Sequence, residues 1–126
     1  MMEAEFRDFR RGDVIMVNNP FQSPHGSVMC GNHPAVIVQN NVGNFHSPNL
    51  VIVYLTSNQK SGEYPTGVRL SDYDFLYKTT VANASQIATI SKEDVIKTLG
   101  QLTELDMARL EKAILVELGM AGREVC

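Results

Sequence analysis

Short apolar runs, rich in β-branched residues, recur from Asp13 to Ile90 and are separated by polar segments with Gly and Pro. Runs of this kind, bounded by turn-forming residues, predict β-strands. The strongest is Leu-Val-Ile-Val-Tyr-Leu-Thr at Leu50 to Thr56, whose unbroken apolar content indicates a strand that is buried on both faces. The pattern predicts further strands at Asp13–Val17, Ala35–Gln39, Gly67–Leu70, Thr80–Ala84 and Gln86–Ile90, with Ser85 separating the last two.

The segments between the early strands are polar and are predicted to be loops. Phe21 to Asn32 spans about a dozen residues, and loops of that length are often functional. Asn40 to Pro48 and Gln59 to Tyr64 are predicted to be further loops. Ser91 to Thr103 is compatible with two structures: a short helix capped at its first residue, or a turn followed by a strand at Lys97–Leu102.

The last element is an amphipathic helix. Thr103 is an N-cap residue ahead of Glu104, and Asp106 is placed to act as its capping-box partner. Gly119 is a natural stop for the helix. Apolar residues recur at helical spacing and are predicted to form one buried stripe, made of Met107, Leu110, Ile114 and Leu118.

Closely spaced strands followed by one helix predict a mainly β fold. The connections are too short for the crossovers of roughly a dozen residues or more that parallel strands need. We therefore predict a small antiparallel barrel with a helix packed at one end, in a single domain of residues 1–126. Within it, residues 1–10 are an N-terminal extension, 11–102 form the barrel and 103–119 the helix.

The charge excludes a protein that coats nucleic acid through bulk positive potential. There are 11 Lys and Arg against 14 Asp and Glu, so the net charge is −3 and any contact with nucleic acid must come from a local patch. No Lys or Arg occurs from Gly12 to Gln59, and all three histidines, His25, His33 and His46, lie in this interval.

The sequence also bears on the compartment. Met1 to Arg11 is charged and lacks the apolar core of a signal peptide, and no segment reaches the ~18 apolar residues that a membrane helix needs. Cys30 and Cys126 lie far apart, so we expect both to be reduced thiols. These features favour a cytoplasmic protein.

Several short blocks follow one another in an order and spacing that resemble one family. They are Arg11-Gly12-Asp13-Val14, Gly31-Asn32-His33-Pro34 with its aliphatic run, Gly43-Asn44 with Ser47-Pro48, Val51 to Ser57, Pro65-Thr66-Gly67-Val68 and Gln86-Ile87-Ala88-Thr89-Ile90. No single block is specific, whereas their order and spacing are. From Arg11 to about Gly119 the chain resembles the MazF/PemK toxins of bacterial toxin–antitoxin systems.

The resemblance implies an SH3-like antiparallel barrel with a C-terminal α-helix, and it favours the strand at Lys97–Leu102. It also implies a homodimer that cuts single-stranded RNA without a metal or other cofactor and is neutralised by a cognate antitoxin protein. His33 stands where the family pattern Gly-x-Arg-Pro has its catalytic arginine, whereas the functional threonine is retained as Thr56. Ser85 and Ala88 replace an acidic residue and an arginine on either side of Gln86.

Metal-free cleavage of RNA requires a base for the ribose 2′-OH, an acid for the leaving 5′-oxygen and donors for the phosphoryl oxygens. His33 fits the acid or base role because imidazole exchanges protons near neutral pH. Thr56 can donate its hydroxyl to a phosphate oxygen. We expect these two residues to be catalytic. The residues expected to contact the RNA are His25, Ser57, Lys60 and Gln86.

A rival hypothesis is a catalytically impaired, toxin-like binding module that retains antitoxin or nucleic-acid binding. The substituted positions and the interval without cations favour it. A metal site made of the three histidines is disfavoured, because their spacing fits no ligand motif. For an active enzyme, Lys60 or Lys78 could supply the positive charge that the missing arginine leaves uncovered.

Overall fold

The main elements of the fold are one antiparallel sheet and a C-terminal helix. The computed structural model describes residues 8–19, 31–76 and 78–121. The prediction of a mainly β fold with a C-terminal helix is confirmed. The strands follow the sheet order β4-β5-β3-β2-β1-β6. Their bounds are β1 (Asp13–Asn19), β2 (Gly31–Ile37), β3 (Asn49–Thr56), β4 (Gly67–Leu70), β5 (Thr80–Ser91) and β6 (Val95–Gln101), with helices α1 (Asn41–His46) and α2 (Glu104–Glu117).

The sheet curls without closing. Its edge strands β4 and β6 are not paired with each other in the described part of the chain. Instead, Phe75 from the β4–β5 connection lies so close to Gly100 of β6 that a Cβ at this glycine would overlap the Phe75 ring. The predicted barrel is therefore an open one, and side-chain packing bridges the gap between its edges.

Alternate residues of the central strands belong to two separate apolar clusters, as the two-residue period of a strand requires. Val36 and Val53 pack in the cluster that also contains Leu110 of α2. Ile37 and Ile52, their chain neighbours, pack in the cluster on the other face. The prediction that β3 is buried on both faces is confirmed.

Strand β5 is continuous over 12 residues, so the predicted break at Ser85 is wrong. A register shift relative to β3 absorbs the irregularity, since Val53 pairs with Ile87 whereas Leu55 pairs with Ala82. Such bulges bend a strand without ending it. Ser85 takes part in this bend, because its backbone N–H and its hydroxyl both donate to Asn83 Oδ1, at 3.1 and 2.6 Å.

Helix α1 replaces part of the predicted Asn40–Pro48 loop, which is a correction. Its signal lies in amide side chains and not in apolar periodicity. Asn40 caps the helix by accepting from the Gly43 N–H at 2.8 Å. Asn44 is buried, and its Nδ2 donates at 3.0 Å to both Gln39 O and Asn41 Oδ1. These polar contacts supply the stabilisation that an apolar face usually provides.

Of the two structures that are compatible with the sequence from Ser91 to Thr103, the strand is the one observed. Ser91 does act as a cap, since its Oγ accepts from the Glu93 N–H at 3.1 Å, but it caps only the single 3-10 turn Lys92–Asp94. β6 follows at Val95–Gln101 and pairs with β1. β2 likewise begins earlier than predicted, at Gly31, because it pairs with β1 as far as Asn19.

Helix α2 packs on β4 and β5 and begins as predicted, with Thr103 Oγ1 accepting from the Asp106 N–H at 3.1 Å. Met107 and Leu110 are buried, and Ile114 is partly buried against the same cluster. Leu118 is 58% exposed, so its assignment to the buried stripe is wrong. It follows the last helical residue, Glu117, beyond the part of the helix that lies on the sheet.

The N-terminus of α2 carries a variant of the predicted capping box. The Asp106 carboxylate does not reach back to the Thr103 N–H. Tyr73, from the β4–β5 connection, stands between the two: its hydroxyl accepts from the Thr103 N–H at 3.0 Å and donates to Asp106 Oδ2 at 2.6 Å. One phenol thus joins the start of the helix to the β4–β5 connection.

Replacing Tyr73 with Phe should lower the free energy of unfolding by about 1–2 kcal/mol at neutral pH, because it removes these hydrogen bonds. Burial, together with the hydrogen bond to Asp106, raises the pKa of Tyr73 above its ordinary value near 10. At pH values between the pKa of Tyr73 in the unfolded state and its higher pKa in the folded state, the folded protein binds more protons than the unfolded one. The contribution of Tyr73 to the free energy of unfolding is therefore lost as the pH rises through that interval.

Urea unfolding of the wild type and Tyr73→Phe at pH 7 and above pH 10 measures the effect. The difference in stability between the two proteins should shrink at the higher pH. A difference that stays constant would show that the Tyr73 hydroxyl is not held as described.

Candidate active site

A cleft of about 340 Å³ opens where β2 begins, β3 ends and β5 begins. It brings together four residues that the sequence analysis proposed, His33, Thr56, Ser57 and Lys78. The cleft is lined by Met16, His33, Pro34, Leu55, Thr56, Ser57, Phe75, Leu76, Lys78, Thr80 and Leu99.

Strand register explains how two catalytic candidates 23 positions apart, His33 and Thr56, come together. In the β2–β3 ladder Ala35 pairs with Tyr54 and Ile37 with Ile52. His33 precedes Ala35 by two residues and Thr56 follows Tyr54 by two, so both lie just beyond the end of this ladder, and both line the cleft.

The His33 side chain is half-buried at the start of β2, where its ring packs edge-on against Tyr54. The ring centroids are 6.4 Å apart and the planes meet at 79°. Tyr54 is buried, so it offers a fixed surface that orients the imidazole. His33 is thus held by packing but keeps access to the cleft.

Thr56 ends β3, and its side chain is shaped by a local turn. Its Oγ1 accepts from the Asn58 N–H at 3.1 Å. An accepting hydroxyl still has its own hydrogen to donate, so Thr56 can offer it to an anionic oxygen in the cleft. Ser57, which is exposed beside it, provides a second hydroxyl.

The cleft combines an apolar wall with a polar rim that suits an anion. Met16, Leu55, Phe75, Leu76 and Leu99 form most of the wall. Lys78 is the cation among the described lining residues, and no carboxylate occurs among them. Such a site can hold a phosphate at its rim and an aromatic base against its wall.

Gln59, which the sequence did not nominate, ties two cleft-forming segments together. Its Nε2 donates to Thr79 O at 2.9 Å and to Ser57 O at 3.3 Å. The predicted Gln59–Tyr64 loop is largely a 3-10 helix, Gln59–Glu63, held by Arg69 through Gln59 O and Gly62 O, each at 3.1 Å. No local sequence pattern signals these contacts, because both acceptors of the Gln59 amide are backbone carbonyls.

The other site residues predicted from the sequence are not among the described residues that line the cleft. Lys60 is exposed in the 3-10 helix and Gln86 is half-buried on β5, and neither lines the cleft. His25, like Cys30 and Cys126, lies outside the described residues. His46 is exposed on α1, where its ring packs edge-on against Phe45.

The described residues contain no group of three or more His, Cys, Asp or Glu side chains arranged to hold a metal ion. None of the helices in the described ranges has the length and apolar character required to cross a membrane.

The sequence matches known proteins over most of its length. The profile of the family described as PemK-like, MazF-like toxin of type II toxin-antitoxin system matches residues 10–118. An endoribonuclease MazF from Staphylococcus epidermidis is 33% identical over 113 residues, which cover 88% of this chain and 92% of that protein.

Solved structures extend the similarity to the fold. An endoribonuclease in complex with its cognate antitoxin, from a mycobacterial species, is 29% identical with a TM-score of 0.74, covering 89% of this chain and 96% of that one. MazF from Deinococcus radiodurans shares the fold at 20% identity, with a TM-score of 0.76 and coverage of 90% and 99%.

Proposed function

Since the chain belongs to the family of PemK-like, MazF-like toxins of type II toxin–antitoxin systems, we propose that it is a metal-independent endoribonuclease acting on single-stranded RNA. The observation that carries this proposal is that His33 and Thr56 line one cleft at the end of the β2–β3 ladder, together with Lys78. The relatives named endoribonuclease support the same activity.

The reaction follows from the groups in the cleft. The ribose 2′-oxygen attacks the adjacent phosphorus while a base takes its proton, and the bond from phosphorus to the 5′-oxygen breaks as an acid protonates that oxygen. The products are a 2′,3′-cyclic phosphate and a free 5′-hydroxyl. DNA lacks the 2′-OH and cannot react in this way.

Each proposed role matches a side chain in the cleft. His33 acts as the acid or the base, because imidazole can both give and take a proton near neutral pH. The hydroxyls of Thr56 and Ser57 donate to the phosphoryl oxygens, which gain negative charge in the transition state. Lys60 and Gln86 stay proposed RNA contacts outside the cleft, and His25 stays a proposed RNA contact.

We further propose that the protein works in the cytoplasm as a homodimer and is neutralised by a cognate antitoxin. The mycobacterial relative in complex with its antitoxin supports the second partner. A two-fold dimer would use the same surface patch on both subunits. Light scattering at low micromolar concentration should give twice the 14.0 kDa chain mass, and a constant monomer mass would contradict the dimer.

The experiment that tests the activity uses the purified protein, EDTA and a long unstructured RNA. We expect fragments ending in a 2′,3′-cyclic phosphate, and no cleavage of the same sequence made with 2′-O-methyl ribose. RNA left intact by the wild type under all conditions would contradict the proposal.

A second candidate function is a binding module that has lost cleavage. It is favoured by His33 and Ala88, which stand where the family pattern has arginines. The variant His33→Arg distinguishes the two functions. Cleavage by this variant but not by the wild type would support the binding module.

A further inference from the structure

We propose that Lys78 supplies the positive charge that stabilises the phosphoryl oxygens during cleavage, in place of the arginine that the family pattern has at position 33. The inference rests on the proposed function, which it deepens by adding a catalytic residue. Proton transfer and charge stabilisation are then divided between two side chains, His33 and Lys78, that line one cleft.

The charge distribution around the cleft singles out Lys78. It is the cation among the described residues that line the cleft, in a chain whose net charge is −3. Two of the other described cations are held in ion pairs elsewhere: Arg11 pairs with Glu111 and Arg109 with Asp106, at 2.8 and 2.6 Å. The Lys78 side chain is exposed and forms no ion pair with a described carboxylate.

The backbone at Lys78 is held in place although its side chain is exposed. Thr80 Oγ1 donates to Lys78 O at 2.9 Å. Gln59 Nε2 joins the next carbonyl, Thr79 O, to Ser57 O, which directly follows Thr56. The backbone next to Lys78 is therefore linked, through the Gln59 side chain, to the segment that directly follows Thr56.

Asp72 and Asp74 mark the other side of Lys78. With Lys78 they line a neighbouring depression, so the lysine stands between an acidic surface and the active-site cleft. On the cleft side, three hydroxyl-bearing residues line the same cavity as Lys78, namely Thr56, Ser57 and Thr80.

The chemistry requires such a charge. The phosphoryl oxygens become more negative as the 2′-oxygen attacks, and hydroxyl donors neutralise this only in part. An imidazole that transfers protons carries a positive charge during only part of the cycle. A lysine ammonium is a compact point charge that binds phosphate without the bidentate geometry of arginine.

The test compares Lys78→Met, Lys78→Arg and the matched control Lys112→Met. Lys112 is exposed on α2, outside the cleft, and its replacement changes the net charge equally. Lys78→Met should lower kcat about 30-fold, less than the 10²–10³ typical of an enclosed donor because solvent screens the ammonium. Lys78→Arg should keep most of the activity, and Lys112→Met all of it. Equal rates for the two methionine variants would overturn the proposal.

Binding of a 2′-O-methyl RNA, which cannot be cut, separates this inference from the proposed function. Removing one phosphate contact should reduce the slope of log K against log salt by about 0.7 for a single strand. Lys78→Met should show this reduction and Lys112→Met should not. If the wild type does not cut RNA, the proposed endoribonuclease function is wrong. The salt dependence of RNA binding still shows whether Lys78 contacts phosphate. An unchanged slope in Lys78→Met would refute the contact.

Discussion

His33→Ala should cut single-stranded RNA at least ~100-fold more slowly than the wild type, because one general acid or base contributes about 10²–10⁴ to the rate. His33 lines the cleft together with Thr56, its ring packs against buried Tyr54, and the other described histidine, His46, is exposed on α1. Single-turnover cleavage with EDTA measures the rate, and His46→Ala is the matched control. Equal rates for the two variants would place the chemistry elsewhere.

A second variant identifies the role of His33. His33→Arg keeps a positive charge but cannot exchange a proton, so it should remain slow if proton transfer is essential. A fully active His33→Arg would instead assign position 33 to charge stabilisation, and Lys78 would then be redundant.

Leu110→Asp should lower the free energy of unfolding by several kcal/mol, because it buries a carboxylate without a partner. Leu110 is fully buried in the cluster that joins α2 to β4 and β5. The matched control is Leu118→Asp, which places the same change at a residue that is 58% exposed and should alter stability by less than about 0.5 kcal/mol. Urea unfolding measures both. Similar midpoints for the two variants would show that α2 does not pack as described.

The contrast between these leucines shows which features of the fold a sequence can predict. The cap at Thr103 and the buried residues Met107 and Leu110 follow from local pattern. Periodicity continues to Leu118, but only the position of the sheet decides where burial ends. Helix α1 escaped prediction for the opposite reason, because amide contacts such as those of Asn44 leave no periodic pattern.

The candidate site was predictable in its residue types and not in its assembly. The family pattern nominated His33 and Thr56, but their meeting depends on the β2–β3 register, and a slip of one residue would turn one of them to the other face. Lys78 was one of two lysines that the sequence offered. Its choice over Lys60 depends on the tertiary structure, in which Lys78 lines the cleft and Lys60 does not.

Through its hydrogen bonds to Tyr73, α2 also supports the cleft, in addition to its packing in the core. The connection that Tyr73 anchors to the start of the helix continues into Phe75, Leu76 and Lys78, all of which line the cleft. A stop codon or a proteolytic cut ahead of residue 103 would remove both the Thr103 and the Asp106 anchor. Such a lesion would abolish toxicity through a loosened cleft wall even where every proposed catalytic residue remains. Cells that survive expression of this toxin could thus carry late truncations as readily as changes in the cleft itself.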